Sequence, residues 1–228
     1  MPPARSAPRM TKASPPSAAS FPGIAGCVLA GGRSSRMGRD KATIRIPAPQ
    51  GEATLLERTL ALFQGLCGTA YVSVREGSPA CALVPEERLV FDEGAAIGPL
   101  GGLLAVLGRA RREGFGAVLF LACDLPFAGR ESLVLLLRQR EQRTAETLVT
   151  ALCRGDASSR PEPLCAVWET AALPLLEQAR DKGRFSLFRA LPEARWQTVA
   201  CAPQNGDLEL FNMNTPADLA LAVNRHQE

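Results

Sequence analysis

The sequence predicts an α/β fold: a single Rossmann-like, mostly parallel sheet with helices on both faces. Two observations carry this. Strand-like apolar runs alternate with amphipathic stretches from residue 24 to the end, the pattern of a sheet crossed by helices. The first run, residues 24–30, is apolar throughout, as expected of a buried parallel strand. It breaks directly into Gly31-Gly32.

That break opens a polar loop carrying Arg33, Arg36, Arg39 and Lys41. Paired glycines turn the backbone sharply and leave its N–H groups bare. Successive N–H groups form an anion-binding concavity, and cations behind it match a polyphosphate. Neither the Gly-x-Gly-x-x-Gly register nor the Gly-x4-Gly-Lys-Ser/Thr register of the common phosphate loops is present. Lys41 is one of only three lysines against 23 arginines, and a compact ammonium suits a phosphate as a point charge. Arg36 reads as the second cation, Arg33 and Arg39 as solvated.

A helix follows at 54–64, with Thr54 as cap. Strands are expected at 70–74 and 88–91. Gly98-Pro99 opens a helix over 100–111, with basic residues in its last turn where the dipole favours them. A central strand at 117–123 precedes a helix at 131–140. Apolar segments 147–153 and 164–168 flank a polar connection at 154–163. Helical stretches at 170–179 and 185–190 lead to a strand at 197–201. The chain ends in a helix from Pro216 capped by Thr215. No repeat or linker divides it, so residues 23–228 read as one domain.

Residues 1–22 contain six of the 18 prolines amid Ala and Ser, with Arg5, Arg9 and Lys12 and no acid. They read as a disordered basic tail, without the apolar core of a secretory signal. Removing these three cations from 26 leaves 23 basic residues against 23 acidic ones. The balance gives no footprint for nucleic acid, and no apolar run reaches membrane-span length. Seven widely spaced cysteines without a Cys-x-x-Cys pair read as reduced thiols of a cytoplasmic protein. The sole histidine, His226, sits two residues from the end, which argues against histidine-based triads, dyads and metal sites.

Two carboxylates follow predicted strands. Asp124 ends the 117–123 strand in Cys123-Asp124-Leu125-Pro126, and Asp92 ends the 88–91 strand, six residues before Gly98-Pro99-Leu100-Gly101-Gly102. Ligands of open α/β sheets bind at such strand ends; an ordinary turn aspartate is the plain alternative. Near the far end stands Asn212-Met213-Asn214-Thr215-Pro216-Ala217-Asp218-Leu219.

Leu29-Ala30-Gly31-Gly32, then Arg36-Met37-Gly38 and Asp40-Lys41, resemble the signature loop of the nucleotidyltransferase superfamily, and within it the molybdenum cofactor guanylyltransferase family. Cytidylyl and many sugar uridylyl relatives usually read Leu-Ala-Ala-Gly there. The Asp92 to Gly102 pattern, the Cys-Asp-x-Pro element and the Asn-x-Asn-Thr-Pro ending match that family too. The resemblance implies an Mg²⁺-dependent transfer of GMP from GTP to the terminal phosphate of molybdopterin, the molybdenum cofactor, with release of pyrophosphate. It gives Lys41, Arg36 and Asp124 catalytic roles, and Asp124 and Asp92 the metal. The nucleotide would lie on Leu29, Ala30, Gly31, Gly32, Lys41, Asp92, Asp124 and the backbone of Gly98, Pro99, Leu100 and Gly102. The absent Cβ at Gly31 is expected to leave room for a purine edge. Asn212, Asn214 and Pro163 would serve the acceptor pterin. Molybdenum-insertion or molybdoenzyme chaperone proteins would be further partners.

The chain departs from the family at Ser73-Val74-Arg75, where an Asn is common, and over 42–54, which is longer and richer in Pro and Gly. Cytidylyl transfer to the same pterin, activation of a sugar phosphate, and a non-catalytic carrier remain alternatives. A carrier needs no poised metal, so Asp124 and Lys41 together speak against it.

Overall fold

A computed structural model describes residues 19–31, 40–48, 51–92, 97–203 and 206–226. Strand β1 (Phe21–Leu29) leads into β2 (Arg45–Ala48), β3 (Gly51–Thr54), α1 (Leu55–Phe63), β4 (Cys67–Val74), β5 (Leu89–Phe91) and α2 (Pro99–Arg112). Then come β6 (Ala117–Ala122), α3 (Arg130–Glu141), β7 (Val149–Cys153), β8 (Pro161–Glu169), α4 (Leu173–Asp181), α5 (Leu187–Ala190), β9 (Trp196–Ala200) and α6 (Pro216–Arg225). Seven strands form one sheet in the order β5-β4-β1-β6-β8-β7-β9, in which only β8 runs antiparallel to its neighbours.

The period of two along the strands sorts the core. Val28, Leu119 and Leu121 face one side, where they meet Leu56 and Phe63 of α1 and Leu133, Leu136 and Leu137 of α3. Cys27, Val118 and Phe120 face the other, against Leu100, Leu103 and Leu107 of α2 and Leu173 and Leu176 of α4. Helices therefore cover both faces, as the sequence predicts. Arg140 makes a two-pronged salt bridge to buried Glu169, 2.7 and 2.8 Å, tying α3 to the end of β8.

Four findings differ from the expected elements. β1 begins at Phe21, paired with Cys67, so it takes the last two residues of the segment read as tail. Residues 1–18 lie outside the described residues. The Pro- and Gly-rich stretch after residue 42 contains the β2–β3 hairpin, which its composition conceals. Pro161 to Pro163 begin β8 instead of ending a loop. The helix expected from residue 170 starts as a 3₁₀ turn and becomes α-helical only at Leu173.

The hairpin earns its place through a separate apolar cluster. Ile44, Ile46, Leu55, Met213 and Ala222 are buried together, with Phe127, Phe211, Leu219 and Val223 packed against them. It clamps the 211–214 segment and α6 onto the hairpin and the start of α1. Thr54 joins hairpin to helix and caps α1: its hydroxyl accepts from the Glu57 N–H at 3.1 Å, and the Glu57 carboxylate accepts from the Thr54 N–H at 2.8 Å. Thr54→Ala is expected to cost about 0.5–2 kcal/mol in urea unfolding, the usual range for a lost cap. An unchanged unfolding midpoint would show that the box contributes nothing.

Candidate nucleotide and phosphate site

Parallel strands deliver their carboxyl ends to one edge of the sheet, where β1, β5 and β6 bring Ala30, Gly31, Asp92 and Asp124. β1 ends at Leu29, with Ala30 buried and its N–H donated to the Ser73 carbonyl, 2.9 Å. Gly32 and Arg36, with Arg33 and Arg39, lie outside the described residues. The chain is described again at Asp40, whose carboxylate starts a 3₁₀ turn over Lys41–Thr43 by accepting from the Ala42 N–H, 3.0 Å. Its other oxygen accepts from the Ser78 hydroxyl, 2.7 Å.

This anchored turn aims Lys41. Its Nζ lies 2.8 Å from Asp124 Oδ2 and donates to Asn214 Oδ1 at 2.6 Å. The lysine side chain is 14% exposed and that of Asp124 22%. Asp124 sits in the turn after β6, where Cys123 donates to the Leu29 carbonyl, 3.2 Å, and Met213 N–H donates to the Asp124 carbonyl, 2.9 Å. The asparagine segment is thereby docked beside the central strand. Asn214 Nδ2 points toward the Asn212 carbonyl, 3.5 Å, so its amide oxygen faces the ammonium. The Asp218 carboxylate accepts from the Asn214 and Thr215 N–H groups, 2.8 Å each, which holds its pKa below the usual range. The sequence assigns Asn214 to the acceptor alone; in the structure its amide oxygen also accepts from the Lys41 ammonium. Cys123, next to Asp124, is a buried thiol pushed far above its ordinary pKa by desolvation, a packing residue and no nucleophile.

Asp92 occupies a second place along the edge. Its Oδ1 accepts from the Ser73 hydroxyl at 2.6 Å. Burial raises its pKa, while the Ser73 bond and the Arg75 charge pull the other way. A Cβ at Gly31 would stand 2.7 Å from Asp92 Oδ2. One at Gly102 would stand 2.9 Å from Oδ1, and closer still to the Ser73 hydroxyl. The room left by the missing Cβ of Gly31 is taken by the Asp92 carboxylate. Gly98 has φ +62° and ψ −148°, a conformation glycine alone adopts readily, and Pro99 follows as the first residue of α2. Leu100 is fully buried, so only its backbone can face a ligand.

The two carboxylates named as metal ligands thus have different partners: Asp124 has Lys41, and Asp92 has Ser73. Among the described residues no group of three or more His, Cys, Asp and Glu side chains could hold a metal. Pro163 is buried at the start of β8, lining a cavity of about 600 Å³ that also reaches Pro99. Its carbonyl accepts from the Trp168 indole N–H, 3.0 Å. Asp40, Ser78 and Ser73 were missed as supports of the site. Asp immediately before the lysine, and Ser before Pro79, are cap signals that point to the first two; Ser73 shows in sequence only as a departure from Asn.

The Asp92 seat gives a sharp expectation. Gly31→Ala should displace the carboxylate and lower nucleoside triphosphate affinity by roughly tenfold or more, since each 1.4 kcal/mol of lost contact is tenfold. Titration calorimetry would measure it; wild-type affinity in a folded Gly31→Ala protein would show that Asp92 has room to spare.

The sequence matches the MobA-like NTP transferase domain over residues 26–196. It is 33% identical over 202 residues to a Rhodopirellula baltica protein named "Probable molybdenum cofactor guanylyltransferase", covering 87% of this chain and 90% of that one. A crystal structure of molybdopterin-guanine dinucleotide biosynthesis protein A from Archaeoglobus fulgidus superposes with a TM-score of 0.71 at 24% identity, over 89% of this chain and 98% of that one. 2-C-methyl-D-erythritol 4-phosphate cytidylyltransferase from Thermus thermophilus superposes at 0.60 with 20% identity, over 89% and 98%. Among the described residues no helix is long and apolar enough to cross a membrane. The chain belongs to the MobA-like NTP transferase family and is a nucleotidyltransferase enzyme.

Proposed function

We propose that the chain transfers GMP from GTP to the terminal phosphate of molybdopterin, releasing pyrophosphate. The observation that carries this is Lys41, whose ammonium contacts both the Asp124 carboxylate and the Asn214 amide. The loop expected to hold the nucleotide and the segment expected to hold the acceptor meet on that one cation. The similarity to molybdenum cofactor guanylyltransferases supports the choice of substrates.

The reaction asks for little proton chemistry. A phosphate monoester has its second pKa near ~6, so the attacking oxygen is already ionised at neutral pH. It forms a bond to the α-phosphorus of GTP as the bond to the bridging oxygen of pyrophosphate breaks. The protein must hold two anions in line and neutralise the charge that builds on the departing group. Lys41 supplies fixed positive charge, and its direction is set by Asp40 and Ser78. Asn214 steers the ammonium and touches the acceptor side.

The residues fit Mg²⁺ as a sparsely held ion. Mg²⁺ takes one or two carboxylates and draws its remaining ligands from phosphate oxygens and water, so a partly exposed single aspartate is a sufficient protein ligand. Asp124 would hold it, with Asp92 as the second candidate. When bound, it would neutralise phosphate charge.

Pyrophosphate release, measured with Mg²⁺, a molybdopterin acceptor and each of GTP, CTP and UTP in turn, tests the reading. Turnover should require GTP. Asp124→Asn should lower it by roughly 10²-fold, since several kcal/mol of charge stabilisation are lost, with the melting temperature little changed. Equal turnover with CTP would replace guanylyl by cytidylyl transfer, and no pyrophosphate with any nucleotide would favour a carrier.

A further inference from the structure

The cavity of about 600 Å³ has one wall from the start of β8 and another from α5. Arg160, Glu162 and Pro163 stand on the first, Phe188 on the second, and Pro99 of the Gly98 turn also borders it. The topology explains why. β8 runs against β6, so its first residues lie at the edge where β6 releases Asp124. The position of Glu162 is close enough for the Asp124 charge to be felt, together with those of Arg154 and Arg160.

Three planar groups stack at this wall. The Arg160 guanidinium lies 4.1 Å over the Phe188 ring, and Phe188 stacks on Trp196 with centroids 5.9 Å apart and planes 19° apart. Trp196 meets buried Trp168 edge-on at 5.2 Å. Arg160 is therefore held by its face. Among the described residues no hydrogen-bond acceptor takes its guanidinium N–H groups, and the residue lines the cavity. Glu162 accepts one weak bond, from the Leu164 N–H at 3.3 Å, on Oε1. Burial raises its pKa and the two arginines oppose this.

A carboxylate and a guanidinium lining one cavity carry the groups that complement a 2-amino-4-oxopyrimidine edge. The ring N–H and the exocyclic amine donate to the two carboxylate oxygens, and the ring carbonyl accepts from the guanidinium. We infer that Glu162 and Arg160 read this edge of the acceptor pterin in the cavity beside Pro163, making them specificity-determining residues of the acceptor site. The inference rests on the proposed acceptor. The same edge occurs on guanine, so the base of GTP is the competing occupant. The pterin is favoured because β8, which carries Glu162 and Pro163, lies on the opposite side of β6 from β1 in the sheet.

Fluorescence titration with 6-hydroxymethylpterin, and with its 2-oxo analogue that lacks the amine, tests this beside calorimetric titration with Mg²⁺ and GTP. Wild type should bind the amino compound more tightly. Glu162→Gln should lose roughly tenfold or more of that affinity, as for a lost charge-assisted bond, and with it the preference for the amine. Arg160→Ala, a change at an exposed residue, should weaken both pterins alike. GTP affinity should stay within twofold in both variants. Wild-type pterin binding in Glu162→Gln overturns the inference alone. Loss of GTP affinity instead gives the cavity to the guanine base. A wild-type protein that binds GTP but no pterin removes the acceptor reading, and the inference with it.

Discussion

The ammonium of Lys41 is the contact on which the site depends. A lysine side chain only 14% exposed must be compensated, and its compensating groups come from 83 and 173 residues away in the chain. Such a pair adds modest net stability, because desolvating two charges offsets much of their attraction. Its larger consequence is geometric. Removing either partner would leave a poorly solvated charge, so the β6 turn and the asparagine segment are held in one arrangement around the cation. The apolar cluster of Ile44, Ile46, Leu55 and Met213 supplies the stability that the polar contact does not, by burying the hairpin against the segment that carries Asn214.

The same edge solves a second problem, that of seating a carboxylate against a sheet. Asp92 has its charge partly desolvated, one strong bond to Ser73, and glycines on both sides. A raised pKa marks a group held at some cost in the free protein, and functional sites are where such costs gather. Gly31 and Gly102 are thus explained by a neighbouring side chain. A methyl at position 31, as in Leu-Ala-Ala-Gly, would stand 2.7 Å from Asp92 Oδ2 and would move the carboxylate.

Much of this was legible in the sequence, for definite reasons. β1, β6 and α2 announce themselves because buried parallel strands are unbroken apolar runs and because Gly98-Pro99 marks a helix start. Thr54 and Thr215 were readable as caps, and both form full capping boxes. The β2–β3 hairpin was not, since Pro47 and Gly51 disguise a short pair whose stability comes from α1 and α6. Meeting of Lys41 with Asn214 was also out of reach, because it depends on where the terminal helix packs. Glu162 went unnoticed as a site residue, since a carboxylate between two prolines gives no local signal and only the antiparallel course of β8 brings it to the ligand edge.

If Lys41, Asp124 and Asn214 act as one unit, their replacements cannot contribute independently. A double-mutant cycle on pyrophosphate release, with Lys41→Ala, Asn214→Ala and the pair, measures this most directly. Groups in one hydrogen-bonded network couple by about 0.5–3 kcal/mol. The double variant should therefore be little worse than Lys41→Ala alone, with Asn214→Ala costing much less in that background than in the wild type. Losses that add to within about 0.5 kcal/mol, as separate sites do, would contradict the account.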